Sequence, residues 1–437
     1  MRIFLFVFLL LGTTLVFAQK TWTLQECVNY AIQHNIDISK VNLNKPLVEN
    51  ELSKSKHELL PTLSAYGSYS DLNNLSQVNS SNVINGSVGL SLALDLTKGI
   101  STYNNIQKNK LLLQATNYTI ESNKNDITLE VATAFMYMLF SKEKLSIISM
   151  QIQRSLQEYE NATKQLQEGE FSDADLVKYQ IQLAQEELQK SRIENECTSW
   201  RISLAQAMNV RLDSITDISL GMEFPFAKLQ EKTPSLDSLY NEACYANTDI
   251  LAAQSYVRMK DYEIALAKMN ALPTFSLAYN TYTNSAKPGS YNYITNTYAE
   301  EQLFNNMYGI VSAQLSIPIF NKFSVKNSVT EQKIYKQKAE FELLSAKENI
   351  YNDIATAYYD MQAAKKEYEK QESILELTKK SYAYTLKKNE VGEISTTDFL
   401  LEKNKMNSAE VDFLISRYTF LFHKMILDFY VNNKINF

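Results

Sequence analysis

The chain has 437 residues, with 43 Lys and Arg against 49 Asp and Glu, which gives a formal net charge of −6. This mildly acidic balance, without a basic cluster, argues against a nucleic-acid partner. Ten glycines and seven prolines are few for this length, and such a composition favours long helices.

No group of residues has the spacing of a catalytic, metal or disulfide motif. The cysteines are three in number and far apart: Cys27, Cys197 and Cys244. The histidines are equally scattered: His34, His57 and His423. Neither a nucleophile–base set nor a phosphate-binding loop is present. We therefore expect no catalytic residue, no metal and no cofactor, and we expect the protein not to be an enzyme.

The N-terminus has the pattern of a secretory signal peptide. A Met-Arg start leads into an apolar run and then Val16-Phe17-Ala18, so we assign residues 1–18 to a peptide cleaved near Ala18. A membrane anchor is the alternative, but the run is shorter than the ~20 residues that a spanning helix needs. Because no later stretch is long and apolar enough either, any membrane contact would be made by β-structure or at the membrane surface.

The mature chain contains a tandem duplication. Leu60-Pro61-Thr62 recurs as Leu272-Pro273-Thr274 at an offset of 212, and Gly169-Glu170 recurs as Gly392-Glu393 at an offset of 223. The second copy has therefore gained 11 residues between these points. We predict a first repeat over 19–220, a linker over 221–234 and a second repeat over 235–437.

Each repeat opens with a predicted helix, 24–59 or 236–271, and continues with a predicted β-hairpin, about 61–97 or 273–320. Apolar residues alternate with small polar ones along these strands. The apolar positions are Leu63, Ala65, Gly67, Tyr69, Val88, Leu90, Leu92, Leu94, Leu96, Phe275, Leu277, Tyr279, Val311, Ala313, Leu315, Ile317 and Ile319. Polar loops over 71–83 and 283–306 would join the strands.

The strands fit either a tilted membrane crossing or the edge of a soluble β-sandwich. Two hairpins are not a stable sheet in water, and four strands cannot close a barrel in lipid. If the strands lie in a membrane, several chains must pool them, so the membrane alternative predicts an oligomer.

Two very long helices follow the hairpins, over about 103–168 and 325–390. Apolar and small residues recur at alternating spacings of four and three, as in a heptad seam. In the first copy these are Ile127, Val131, Ala134, Met138, Ser141, Leu145, Ile148 and Ile152. In the second they are Ile350, Ile354, Ala357, Met361, Ala364 and Tyr368. A helix of this length spans ~100 Å at ~1.5 Å per residue, and an ordinary antiparallel coiled coil is the alternative to a closed cylinder.

Each long helix ends in the same motif, Gly-Glu-x-Ser-x-x-Asp, over 169–175 and 392–398. A lone glycine in a long helical run predicts a helix end in the left-handed conformation. Ser172 and Ser395 are predicted N-caps of the returning helices, which would run over 173–210 and 396–432. Each motif is therefore the predicted tip of a helical hairpin.

The order of these parts resembles the TolC-like outer-membrane factor family, the exit ducts of efflux pumps and type I secretion systems. The resemblance covers nearly the whole mature chain. It rests on the Leu-Pro before each first strand, on the strand ending at 315–320, and on the tip over 391–400. That tip is close to the family's Gly-x-x-x-x-x-Asp-Val-Leu pattern.

The resemblance implies a mainly α fold with a small β part and an internal tandem duplication. Long helical hairpins would form a periplasmic tunnel, and four strands per chain would contribute to a trimeric 12-stranded outer-membrane barrel in contact with lipid. The protein would be a homotrimer in the outer membrane, with most of its mass in the periplasm. It would act as a passive duct, working with a periplasmic adaptor protein and an inner-membrane pump of the RND or ABC type.

The resemblance also implies roles for the tip residues. Asp398 aligns with an aspartate of the family's acidic entrance ring, and Asp175 is its first-copy counterpart. The family's frequent second acid falls at Leu401 here, next to Glu402, which puts a double acidic ring in doubt. The expected turn and adaptor contacts are Gly169, Glu170, Phe171, Gly392, Glu393 and Ile394. Both aspartates could equally serve as helix caps.

A secreted periplasmic coiled-coil scaffold, whose strands form a soluble interface, is the alternative from another functional class. The sequence does not identify the exported substrate or the pump class.

Overall fold

A computed structural model describes residues 21–72, 83–169, 171–215, 217–219, 234–286 and 307–433. The predicted signal peptide and nearly all of the predicted linker lie outside these residues. The described residues within 1–41, 121–247 and 349–437 form one compact unit, and those within 42–120 and 248–348 form the other. We call them the hairpin unit and the sheet unit.

The chain is mostly helical. The helices are α1 Leu24–His34, α2 Ile36–Asn42, α3 Asn44–His57, α4 Lys98–Gln167, α5 Asp173–Met208, α6 Leu236–Ala246, α7 Thr248–Met269, α8 Ser324–Glu390 and α9 Thr396–Asn432. The strands are β1 Thr21–Trp22, β2 Thr62–Leu72, β3 Val83–Asp95, β4 Asp217–Ile218, β5 Thr274–Ala286 and β6 Met307–Ser316. This order repeats helices, two strands, a very long helix and a returning helix, in agreement with the predicted fold class.

The predicted first helix of each repeat is wrong in one respect, because each is interrupted. Asn35 and its second-copy counterpart Asn247 have extended backbones, with ψ of 131° and 125°. The Asn35 carboxamide oxygen accepts hydrogen bonds from the backbone N–H groups of Asp37 (2.7 Å) and Ile38 (3.3 Å). A capping asparagine of this kind ends one helix and begins the next.

The sheet unit contains a four-stranded antiparallel sheet in the order β2-β3-β5-β6. Its register places the predicted apolar positions on one face, as in the cross-strand row Leu63, Leu92, Tyr279 and Val311. The opposite face carries mainly serine, asparagine and other small or polar residues. The predicted alternation is therefore confirmed from β2 to β6.

The strand ends differ from the prediction. Residues 71, 72, 83 and 283–286, which were expected in loops, belong to strands. Strand β6 ends at Ser316, although the alternation continues through Ile317 and Ile319. Pro318 has no N–H group to donate to a neighbouring strand, which accounts for the earlier end. The loop residues 73–82 and 287–306 lie outside the described residues.

Most residues of the predicted heptad seams are buried in the hairpin unit, and Ile127, Leu145, Ile152 and Tyr368 are half-buried. Val131, Ile354 and Met361 are almost completely inaccessible to solvent. A large apolar cluster of this unit joins residues of α1, α4, α5 and α9, with Phe135, Leu204 and Leu421 among its fully buried members. Burial of each such side chain contributes roughly 1.5–3 kcal/mol, so the long hairpins are held mainly by this packing.

Among the described residues, no helix combines the length and the hydrophobicity that a membrane crossing requires. All three cysteines are free thiols, and Cys27 is buried.

Candidate functional site

The two hairpin tips turn on glycines in the left-handed conformation, as predicted. Gly169 has φ 79° and Gly392 has φ 73°. At the second tip, the N–H of Gly392 donates to Asn389 O (3.1 Å) and that of Glu393 to Lys388 O (2.9 Å). This pair of bonds is a Schellman motif, which satisfies carbonyl groups at the end of α8. A side chain at either glycine would meet open space, so only the backbone conformation requires glycine there.

Each returning helix begins with the predicted serine cap. The Asp175 N–H donates to Ser172 Oγ, and the Asp398 N–H donates to Ser395 Oγ, both at 3.1 Å. Each serine hydroxyl in turn donates to the aspartate Oδ2 at 2.7 Å. The two tips thus share one local geometry, in which the aspartate supports the positive end of its helix.

A lysine connects the first tip to the second. Lys178 Nζ lies 2.9 Å from Asp175 Oδ1 and 3.0 Å from Thr397 Oγ1. The Lys178 ammonium, and after it the Ser172 hydroxyl, lowers the pKa of Asp175 by hydrogen bonding to the charged form. The charge of Asp175 is therefore balanced within its own tip.

The second-copy aspartate is placed differently. Asp398 is exposed, and no lysine or arginine of the described residues forms an ion pair with it. Glu402 is half-buried and paired: Lys405 Nζ lies 2.6 Å from one of its oxygens, and Ser381 Oγ donates to the other at 3.0 Å. These two bonds, the lysine first, lower the pKa of Glu402. Of the three predicted gate acids, Asp398 alone presents an unpaired carboxylate.

An apolar cluster packs beneath the tips. Its buried members are Ala162, Tyr179, Phe399 and Leu400. Phe171 and Ile394, expected to contact an adaptor, pack against this cluster and are only partly exposed. Glu393 is exposed, whereas Glu170 lies outside the described residues. Of the predicted contact residues, Glu393 and the two turn glycines are therefore exposed, whereas Phe171 and Ile394 pack into the apolar cluster.

A charged network is buried between α4, α5 and α9. Lys403 Nζ lies 2.5 Å from Glu158 Oε2 and 2.7 Å from Ser155 Oγ. The Ser155 hydroxyl donates to Glu186. Burial, together with the Glu158 carboxylate, raises the pKa of both Tyr179 and Tyr382 to about 12. The buried ammonium therefore pairs directly with Glu158 and is linked to Glu186 through the Ser155 hydroxyl.

Amide groups complete this network. Gln182 Nε2 donates to Glu186 Oε1 at 2.8 Å, and Gln182 exchanges two hydrogen bonds with Asn404, at 2.8 and 3.0 Å. These bonds tie α5 to α9 just behind the tips.

Sequence reasoning missed Lys178, Lys403 and Val391. A lysine three residues after Asp175 is a visible pairing signal, but its contact with Thr397 joins residues 219 positions apart. Nothing in the sequence marks Lys403 as buried. Val391, next to the Gly392 turn, is 69% exposed, so the second tip presents an apolar side chain to solvent.

A family model described as outer membrane efflux protein matches residues 27–210 and again residues 239–419. No curated protein matches the chain in sequence.

Solved structures share the fold over almost the whole chain. A structure of CusC matches with a TM-score of 0.78 and 17% identity, covering 94% of this chain and 92% of that one. The Campylobacter jejuni CmeC outer membrane channel matches with a TM-score of 0.78 and 16% identity, covering 94% and 86%. The Neisseria gonorrhoeae MtrE outer membrane channel, in its open state, gives 0.75 and 18%, covering 94% and 88%.

Proposed function

The chain belongs to the outer membrane efflux protein family, and from that premise we propose that three copies form one passive exit duct, opened at its tips by a periplasmic adaptor. The family places the protein in the outer membrane as the outer-membrane component of an efflux pump, which confirms the predicted family, location and export function. Members of this family are channels rather than enzymes. The alternative of a soluble periplasmic scaffold is set aside on the same ground.

The proposal of pooled strands rests on the open sheet. Within the described residues, β2 and β6 each pair with a single strand, so each leaves one edge unpaired. Most of the large residues of the apolar face are exposed: Leu63, Tyr69, Val88, Leu90, Leu92, Phe275, Tyr279, Val311 and Leu315. Lipid can cover such a face, but lipid offers no hydrogen-bond partner to a strand edge. The β2 edge of one copy must therefore pair with the β6 edge of another.

Three copies with four strands each give the 12-stranded barrel that the family resemblance implies. The apolar face would then contact lipid, and the serine- and asparagine-rich face would line a water-filled lumen. The helical hairpins would continue the duct through the periplasm.

Cross-linking of the two edges tests this arrangement. Cysteines are introduced at Ser64 on β2 and Ser312 on β6, on the polar face, after the three native cysteines are replaced by alanine. A bismaleimide reagent should convert the double variant into a covalent trimer on a denaturing gel, while each single variant stays monomeric. A product that stops at the dimer, or no product from membranes, would contradict the proposed pooling of strands.

The tips are the proposed periplasmic entrance. Asp398 carries an exposed, unpaired carboxylate there, and three copies would present three such charges around the opening. A ring of acids attracts cations and repels anions. Gly392, Glu393 and Val391 present the exposed surface that an adaptor would contact, with Gly169 at the first tip. The energy for export would come from an inner-membrane pump.

A further inference from the structure

One row of the sheet is aromatic on its polar face. The register aligns Tyr66 of β2 with Gly89 of β3, Gly89 with Tyr282 of β5, and Tyr282 with Tyr308 of β6. Partners in a cross-strand row have side chains on the same face. The four-stranded sheet therefore carries three tyrosines and one glycine side by side, which we call the tyrosine row.

The glycine of this row accommodates both a ring and the neighbouring strand. A Cβ atom added at Gly89 would lie 2.2 Å from the Thr281 carbonyl oxygen and 2.6 Å from Cζ and from the hydroxyl oxygen of Tyr66, so the outer end of the Tyr66 ring lies over the glycine. Tyr66 is nonetheless 41% exposed. Tyr282 and Tyr308 stand beside it with ring centroids 5.8 Å apart and ring planes at 34°. The row thus presents aromatic surface outward from the polar face.

The neighbouring row on this face is uncharged. The next row toward the helices holds Ser64, Ser91, Asn280 and Ile310. Among the described side chains of this face there is no lysine or arginine, and Asp95 is the charged residue. Within the part of this face that the structure describes, no positive side chain would repel a cation from the ring faces, which carry negative electrostatic potential.

We infer that the tyrosine row is a stacking site for aromatic organic cations inside the duct. The inference rests on the proposed function, because only a trimeric barrel turns this face toward a lumen. A flat ring on Tyr66 stacks with an aromatic solute, the neighbouring rings attract its positive charge, and the phenol hydroxyls remain hydrated. A weak site of this kind holds a solute briefly without closing the path.

A purely structural role would make a different prediction. An aromatic ring laid over a glycine also stiffens a sheet. In that case the loss of Tyr66 would lower the stability of the barrel and leave solute binding unchanged.

Single-channel block in planar bilayers separates the two roles. Benzyltrimethylammonium and tetramethylammonium carry the same charge, and only the first has a ring; both are added from the loop side of the sheet. We expect benzyltrimethylammonium to block the wild-type channel at a concentration about tenfold lower than tetramethylammonium. Tyr66→Leu should reduce this ratio of blocking concentrations about threefold. Tyr66→Phe should preserve the ratio. Tyr69→Leu is the matched control, because Tyr69 lies on the apolar face of the same strand.

The inference is overturned if the channels conduct and Tyr66→Leu leaves the ratio unchanged, or if the two blockers act equally on wild type. Absence of conductance would count against the proposed duct, and saturation-transfer NMR of benzyltrimethylammonium with the purified protein then tests the row itself. Saturation that is lost in Tyr66→Leu/Tyr282→Leu/Tyr308→Leu but kept in Tyr69→Leu supports the row. Equal saturation in both variants would refute it.

Discussion

The two hairpin tips share a backbone and differ in charge. Both turn on a left-handed glycine and both have the serine–aspartate cap. Residue 178 in the first copy is a lysine that neutralises Asp175, whereas its counterpart at the offset of 223 is Leu401, which is exposed. The two copies therefore share the turn and differ at this one position, three residues beyond the aspartate, where Asp398 lacks the lysine that pairs with Asp175.

A second asymmetry lies just behind the tips. Lys403 is buried and balances Glu158, while its first-copy counterpart Gln180 is exposed and donates to the Tyr159 hydroxyl (3.0 Å). The returning helix of the second copy thus carries the buried charge on which the neighbouring helices depend.

The largest effect is expected when this second asymmetry is removed by Lys403→Gln. The half-buried Glu158 carboxylate then loses its ammonium partner, and the Ser155 hydroxyl that donates to the buried Glu186 loses its contact with that ammonium, which costs roughly 3–5 kcal/mol. Thermal unfolding followed by circular dichroism should show a clearly lower midpoint, and hydrogen exchange should increase in α9. Gln180→Ala is the matched control and should change stability by less than about 0.5 kcal/mol. Equal behaviour of the two variants would contradict a role for the buried ammonium.

A smaller and equal effect is expected at the two turns. Gly169→Ala and Gly392→Ala force a Cβ into the left-handed conformation, at a cost of about 1 kcal/mol each. Hydrogen exchange measured by mass spectrometry should show faster exchange of the backbone amides in the last turn of α4 or α8. Asparagine at the same positions tolerates this conformation better and should recover part of the protection. A marked difference between the two alanine variants would show that the turns are not equivalent.

The smallest effect concerns protonation at the first tip. The pKa of Asp175 is lowered, so its bridge to Lys178 is complete above the ordinary aspartate value of 3.8 and is lost as pH falls through the lowered value. Lys178→Met should move the pKa of Asp175 back toward 3.8, as followed by carboxyl carbon NMR of aspartate-labelled protein. Lys190→Met, whose nearest acid is Glu194 at 3.8 Å, serves as the control. If the pKa of Asp175 is unchanged in Lys178→Met, the lysine is not the cause of the lowered value.

The features that the sequence predicted well are local ones. Gly392, Ser395 and Asp398 lie within seven positions, and their turn and cap depend on little else. The alternation along β3 likewise needs only neighbouring residues. By contrast, the contact of Lys178 with Thr397 depends on how two hairpins pack, which no short pattern encodes.

The remaining errors have identifiable causes. The helix break at Asn35 could have been predicted, because an Asn followed by Asp37 is typical of a helix start. The apolar pattern continues on both sides of Asn35, and it favoured one unbroken helix. Pro318 could have limited β6, because proline cannot donate to a strand partner. The burial of Lys403 follows from the packing of three helices and was beyond any sequence signal.

The most direct test of the account is block by Mg²⁺ added at the tip side of single channels in planar bilayers. We predict that Asp398→Asn raises the conductance and weakens the block at least about threefold, because it removes the exposed acid from each copy. Leu401→Lys should weaken the block similarly by supplying the missing partner, and Asp175→Asn should leave it unchanged. If Asp398→Asn alters neither conductance nor block, or if Asp175→Asn acts as strongly, Asp398 is a helix cap alone and the difference between the tips has no role in conduction.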